Sequence, residues 1–247
     1  MSFCNRRSLG AAGLALFLMT TPARAQMLIG YLLGEKLASP TFNMGFEIGI
    51  NFSTLDGLDK AERLNRTVFG LFGDWRFSEH FHLAGAFLPA AGRGAQGITP
   101  IQTGDPVIDD QTAGGTMQRS LNYIEFPLLL KWAPKRNEGF RIGAGPSFGL
   151  ITGATDRYDA TTSTGTVYVL ERDIGNEIPG FDFGLSVDVE WRFQMLSIAG
   201  RFTQGLTDLR QTGADAAVHS RVLTGTGRIY LGKKKAAAKP DSAKAAS

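Results

Sequence analysis

The stretch FNMGFEIGINFS, residues 42–53, alternates strictly between apolar residues and polar or small ones. Its even positions hold only large apolar side chains, and its odd positions hold only Asn, Gly, Glu and Ser. Successive side chains of a β-strand point to opposite faces, whereas a helix would spread these residues around its circumference. The stretch therefore predicts a strand with one wholly apolar face.

Seven further segments show the same period of two, at residues 67–77, 81–89, 122–132, 140–151, 181–193, 196–204 and 221–231. Each is close to the ~9–11 residues with which a tilted strand crosses a bilayer. Short links (78–80, 134–138, 194–195) alternate with long ones (54–66, 92–120, 152–180, 205–220). Short periplasmic turns and long outer loops are typical of bacterial outer-membrane barrels. The sequence predicts an all-β protein, an eight-stranded antiparallel transmembrane β-barrel with up-and-down meander topology.

The average hydropathy agrees with this fold class. Mean hydropathy is −0.06, and after the N-terminal region no stretch approaches the ~20 apolar residues of a spanning helix. Strands that alternate apolar-out and polar-in give such an average because the two faces cancel.

All three tryptophans fall on the apolar face near the end of an even-numbered predicted strand, just before a short link. They are Trp75, Trp132 and Trp191. In a barrel they form one belt at one height, where indoles favour the bilayer interface. Tryptophans in the core of a soluble sandwich would share no common height.

The chain ends lie outside the barrel pattern. Residues 1–25 predict a cleaved signal peptide, with Arg6 and Arg7, an apolar run and Ala23-Arg24-Ala25. Residues 26–41 predict an N-terminal periplasmic segment, 42–232 the barrel and 233–247 a flexible basic tail. The only cysteine, Cys4, leaves with the signal peptide, so no disulfide is expected.

The net charge of +3 comes from the two ends of the chain. Residues 26–232 keep 18 basic and 22 acidic side chains of the 26 and 23 in the whole sequence. A mildly acidic body gives no nucleic-acid surface. The partners expected are outer-membrane lipids, the barrel-assembly machinery and, through the basic tail, the cell wall. The sequence leaves the oligomeric state open.

The polar faces of the predicted strands carry charges of both signs. They are Glu47, Asp74, Arg76, Glu125, Lys131, Arg141, Asp182, Asp188, Glu190, Arg192, Arg201 and Arg228. An eight-stranded barrel is only wide enough for side chains to fill, and buried charges need partners. These residues predict a salt-bridge network that closes the lumen. A narrow ion path is the alternative.

No catalytic, cofactor or metal site is predicted. His80 and His82 lie near one end of the barrel and His219 near the other, and the Ser220, His219 and Asp215 neighbourhood is only a weak triad. Asp105, Asp109 and Asp110 lack the Gly-centred spacing of a calcium loop. Pro127 and Pro146 lie within strands, where they cannot donate a ladder hydrogen bond, and predict bulges.

Several motifs resemble the PorT-like outer-membrane barrels, often called the porin family. They are YIEFPLLLKW at 123–132, Gly34-Glu35-Lys36, Gly49-Ile50-Asn51-Phe52-Ser53 and GAGPSFG at 143–149. The resemblance spans roughly residues 30–232 and implies one closed barrel without enzymatic residues. The chain departs from the pattern at the end, because outer-membrane barrels usually stop at an aromatic residue. Here Tyr230 is followed by Leu231, Gly232 and the tail.

The function expected is therefore that of a non-enzymatic protein in the outer membrane of a Gram-negative bacterium. It would act structurally or through interactions of its long loops. The alternatives left open are a small passive diffusion pore and a lipid-modifying outer-membrane enzyme.

Overall fold

A computed structural model describes residues 41–101, 106–112, 114–134, 138–161, 167–211 and 216–231. The predicted signal peptide (1–25) and basic tail (233–247) lie outside the described residues, as does the N-terminal segment (26–41) except for Thr41. Those three boundaries therefore stay predictions.

Ten strands of the described residues form one antiparallel sheet. They are β1 Phe42–Asp56, β2 Glu62–Arg76, β3 Phe81–Ala91, β4 Arg93–Ile98, β5 Thr116–Trp132, β6 Gly139–Thr161, β7 Val167–Asp173, β8 Phe181–Phe193, β9 Leu196–Gly205 and β10 His219–Leu231. The helix α1 spans Pro106–Thr112. Among the described residues no helix is long and apolar enough to cross a membrane.

Eight strand positions close into a ring, which confirms the predicted fold class. β3 and β4 are two halves of one position, because both pair with β2 and β5 and only Gly92 separates them. β7 pairs only with the far part of β6 and adds no position to the ring. The ring closes between β1 and β10, from Met44 opposite Leu231 to Asp56 opposite His219.

The two ends of the barrel differ. At the short-turn end, tight links join β2 to β3, β5 to β6 and β8 to β9, and β1 begins and β10 ends there. At the other end, here called the hairpin end, β6 and β7 extend the wall beyond β8. Along β8 the outward side chains from Phe181 to Trp191 are apolar. At ~3.3 Å per residue and a tilt of ~40°, this stretch rises ~25 Å, the height of the apolar band of outer-membrane barrels.

The polarity of the two faces reverses above this band. On the lower part of β5 the outward residues are apolar, from Ile124 to Trp132, and Glu125 and Lys131 point inward. On the upper part, Met117 and Leu121 point inward, while the outward positions are polar (Gln118, Ser120 and Asn122). The wall thus has the pattern of a membrane protein below Tyr123 and of a water-soluble barrel above it.

The predicted long links at 54–66, 92–120 and 152–180 are wrong in extent, because strands continue into each of them. The first is only the turn 57–61 between β1 and β2. The strands continue because their upper parts bury apolar residues inward, as Leu55 and Leu64 show. On β6, one extra residue at Thr152 shifts the register between Asn122 and Tyr123 of β5. Beyond this bulge the inward residues change from odd to even numbers, which hid the continuation from a simple alternation pattern.

The prediction of bulges at the two prolines is wrong. Pro127 lies opposite Ser147 and Pro146 opposite Leu185, and the register is the same on both sides of each proline. A missing N–H removes one ladder hydrogen bond but adds no residue to the strand. The flanking pairs can therefore keep their alignment.

Candidate functional site: the filled lumen

A compact ion cluster, here called the central cluster, fills the lumen near the short-turn end. Arg228 of β10 lies at its centre and contacts carboxylates of two strands: Glu47 Oε2 at 2.9 Å, Asp188 Oδ2 at 2.7 Å and Glu190 Oε2 at 2.9 Å. Lys131 Nζ reaches Asp188 at 2.7 Å and Glu190 at 2.6 Å. Arg201 of β9 also donates to Glu47. Three cations thus face three carboxylates, all of them buried.

A second group surrounds Asp74 of β2, closer to the short-turn end. The Asp74 carboxylate accepts from Arg141 at 2.7 Å and contacts His82 Nδ1 at 3.0 Å. Arg192 lies 3.9 Å from the same carboxylate, and its guanidinium covers the ring of Tyr230 at 3.5 Å. The Tyr230 hydroxyl donates to Glu190 Oε1 at 2.5 Å. This tyrosine therefore links the Asp74 group to the central cluster.

A third group crosses the lumen in its middle and depends on Arg93. The Arg93 guanidinium contacts Glu125 of β5 at 2.8 Å and Asp182 of β8 at 3.2 Å. It also donates to Ser220 Oγ of β10 at 3.2 Å and lies 4.5 Å from the centre of the Tyr123 ring. One side chain thus connects β5, β8 and β10.

The glycines around Arg93 allow this placement. Gly94 adopts φ +150°, and a Cβ there would meet the Arg119 carbonyl oxygen at 2.0 Å. Ser53 Oγ donates to the Gly94 carbonyl at 2.9 Å and accepts from its N–H at 2.8 Å, while Asn51 Nδ2 donates to the Gly92 carbonyl at 3.0 Å. Side chains of β1 therefore hold the chain between β3 and β4 in place.

Sequence reasoning missed Arg93 because it lies inside a predicted long link. It also missed Arg119 and Asp156, which form a bidentate pair at 2.7 and 2.6 Å nearer the hairpin end. The sequence pattern that could have revealed these charges is weak. The neighbouring inward positions hold apolar residues, whereas in the membrane-spanning parts the inward positions hold polar ones. Recognising it would have required knowing that the strands continue beyond the membrane.

Apolar side chains fill the lumen at the hairpin end. They form one buried cluster, here called the apolar plug: Leu55, Val68, Leu88, Ala91, Ala95, Ile98, Met117, Leu121, Tyr123, Ala154, Tyr158, Ile174, Ile178, Leu209 and Val218. Ile174 and Ile178 come from the link between β7 and β8, and Leu209 and Val218 from the link between β9 and β10. These two links therefore fold over the barrel mouth.

The link between β9 and β10 is held by Asp208. Its Oδ1 accepts the backbone N–H of Val218 at 2.9 Å and of Arg210 at 3.0 Å. The hydrogen bond from Val218, followed by that from Arg210, lowers the pKa of the Asp208 carboxyl below its ordinary value. The ionised side chain thus holds the two ends of the link together and keeps Leu209 and Val218 in the plug.

The lumen is electrically balanced and nearly without space. Among the described residues, seven basic and seven acidic side chains are buried. The cavity beside Glu47, Asp74 and Tyr230 measures about 20 Å³, which is room for roughly one water molecule. Charges paired and packed this closely favour a closed lumen.

Most residues of the predicted network meet in these groups, but Arg76 does not lie among the buried charges. It is half-buried at the short-turn rim, beside Thr41 and Ser78, because it is the last residue of β2 and the lumen opens there. The three tryptophans are exposed on the outer face at the short-turn end, with Phe77 and Phe193 about 6 Å from Trp75 and Trp191. Each lies within the last three residues of its strand, and that the three share one height at the bilayer interface stays a prediction.

The weak catalytic candidates do not converge. His219 Nδ1 lies 3.1 Å from the Thr207 carbonyl, and Ser220 Oγ donates into the lumen to Asp182 at 2.7 Å. Asp215 and Asp105 lie outside the described residues. Within the described part of the chain no three His, Cys, Asp or Glu side chains are grouped so that they could hold a metal ion.

A family model described as "Outer membrane protein beta-barrel domain" matches residues 35–211. No curated protein matches the chain. Among solved structures, the chain is similar to Ail, the attachment invasion locus protein of Yersinia pestis, in complex with a heparin analogue, at 10% identity and a TM-score of 0.40, covering 77% of this chain and 99% of Ail.

Two other solved structures are similar at comparable coverage. Neisserial surface protein A matches with 6% identity and a TM-score of 0.37 over 75% of this chain and 96% of its own. OprG from Pseudomonas aeruginosa matches with 11% identity and a TM-score of 0.29 over 76% and 91%.

Proposed function

Because this chain belongs to the family of outer membrane protein β-barrel domains and lies in the outer membrane, we propose that it is a closed, non-enzymatic barrel. Its role is structural or interaction-mediating, through the part of the wall that extends beyond the apolar band. Within this family we assign the chain to the PorT-like barrels. The 123–132 stretch, which forms the membrane-facing part of β5, supports this assignment.

The observation that carries the proposal is the filling of the lumen. Three ion groups and the apolar plug occupy the barrel from one end to the other, and the cavity beside the central ion cluster is about 20 Å³. Breaking buried pairs of this kind costs several kcal/mol. A spontaneous opening wide enough for a solute would have to break many of them at once.

The second support is the shape of the wall. Short turns of outer-membrane barrels face the periplasm, so the hairpin end faces the cell exterior and the basic tail starts on the periplasmic side. The β6–β7 hairpin and the upper parts of β1, β2 and β5 then stand above the membrane, and apart from Val169 of β7 their described exposed side chains are mostly polar. A rigid sheet outside the membrane is a suitable interaction surface. Contacts of the tail with the cell wall and of the barrel with the assembly machinery are further parts of the proposal.

Planar-bilayer recording tests the closed state. We expect no steady open channels from the full chain, because no continuous aqueous path crosses the barrel. A heat-dependent shift on a gel shows that the same sample is folded and inserted. Reproducible channels from such a sample would establish the passive pore instead.

Mass spectrometry of lipid A tests the absence of enzymatic activity. We expect the same lipid A species from a host expressing the chain as from one carrying an empty vector, because no described His, Ser and acid side chains converge. A new acylation or deacylation product that depends on expression would favour the lipid-modifying enzyme.

A further inference from the structure

Two arginines lie on the outward face next to the last apolar side chains of β1 and β10. Arg63 of β2 directly precedes Leu64, which lies opposite Ser53 of β1, and Arg221 of β10 lies opposite the next β1 residue, Thr54. Both arginines are exposed. Two strand spacings separate their Cα atoms by ~10 Å. One row below them are Phe52 and Leu223, which belong to the band.

Arg63 is directed toward the membrane. Its guanidinium lies 5.9 Å from the centre of the Phe52 ring, a cation–π arrangement. Within the residues that the structure describes, Arg63 has no carboxylate within ion-pair distance. Its charge therefore lies beside Phe52, the last apolar side chain on the outward face of β1.

Arg221 is only partly neutralised. It contacts Asp56 Oδ2 at 2.6 Å with about half of its side chain exposed, and its Nε donates to Gln204 Oε1 at 3.2 Å. Arg63 and Arg221 are here called the arginine row.

We propose that the arginine row binds the phosphorylated headgroup of an outer-leaflet glycolipid of the lipid A class. Cations beside a membrane attract anionic headgroups, and guanidinium groups match phosphate oxygens in geometry. The row is continuous with the lipid-facing band, so a lipid whose acyl chains cover Phe52 and Leu223 brings its headgroup to Arg63 and Arg221. The inference rests on the proposed orientation, with the hairpin end outside.

Native mass spectrometry in a non-ionic detergent tests the site without depending on orientation or on lumen closure. The full chain is titrated with bis-phosphorylated lipid A, with fully dephosphorylated lipid A and with inorganic phosphate as a competitor. We expect the phosphorylated lipid to bind. Arg63→Gln should weaken it about fivefold, which corresponds to the ~1 kcal/mol of one basic residue at an anionic surface, and R63Q/R221Q should weaken it further.

Two matched variants separate binding from folding. Asp56→Asn removes the carboxylate beside Arg221 and should strengthen binding, a result that misfolding cannot produce. Arg210→Gln changes an equally exposed arginine in the β9–β10 link and should leave binding unchanged. Equal binding of dephosphorylated lipid A, full competition by millimolar phosphate, or no effect of R63Q/R221Q would overturn the proposal.

Discussion

Arg228→Met is expected to lower the free energy of unfolding by about 3–5 kcal/mol, the range for breaking a buried ion pair on one side. Arg228 is 4% exposed and contacts Glu47, Asp188 and Glu190. Without it, Lys131 and Arg201 must serve three buried carboxylates. Urea unfolding of the protein in lipid vesicles, followed by the fluorescence of the three tryptophans, measures the change.

Two companion variants show whether the effect is electrostatic. In the double variant Arg228→Met with Asp188→Asn, two cations face two carboxylates again, so it should be more stable than the single variant. Arg221→Met removes an arginine of the same strand on the outer surface and should change stability by only ~0–1 kcal/mol. If Arg228→Met lowers the free energy of unfolding no more than Arg221→Met does, the role assigned to the central cluster is contradicted.

Leu128→Arg should cost ~2–4 kcal/mol, the range for a basic residue on the lipid face at the bilayer midplane. Leu128 lies outward on β5, 42% exposed, between Trp132 and the upper edge of the band. The arginine would lose hydration there and find no partner in the hydrocarbon. Urea unfolding in vesicles again measures the change.

The matched control is Ser120→Arg on the same face of the same strand. Ser120 lies above the reversal of polarity at Tyr123, so the new charge stays in water and should change stability by ~0–1 kcal/mol. Equal losses for both variants would mean that the apolar band does not end near Tyr123. The pair therefore measures where the strand leaves the membrane.

The sequence predicted well those features that depend on side-chain alternation within the membrane. The even residues from Phe42 to Phe52 and the run from Phe126 to Trp132 could face only lipid, and the charges between them could face only the lumen. Glu47, Lys131 and Arg228 were found in this way, because a charge on an otherwise polar face of a spanning strand has no other place to lie.

The same reasoning failed where the surroundings of the strand changed. Above the membrane, water replaces lipid, so inward positions become apolar and outward positions polar, as Leu121 and Ser120 show. On β6 the bulge at Thr152 also changes the inward residues from odd to even numbers. Arg93 was missed for a separate reason, since it lies between Gly92 and Gly94 in a segment that has the composition of a loop.

The sequence by itself determined the eight strand positions of the ring and which faces of their membrane-spanning parts are apolar, because a strand that crosses a membrane must separate its apolar and polar side chains residue by residue. Only the tertiary structure decided which charges pair, that Arg93 spans the lumen and that apolar residues close its hairpin end. Those contacts join residues up to 181 positions apart, as Arg228 and Glu47 are. Ring closure and register, which no local pattern contains, bring them together.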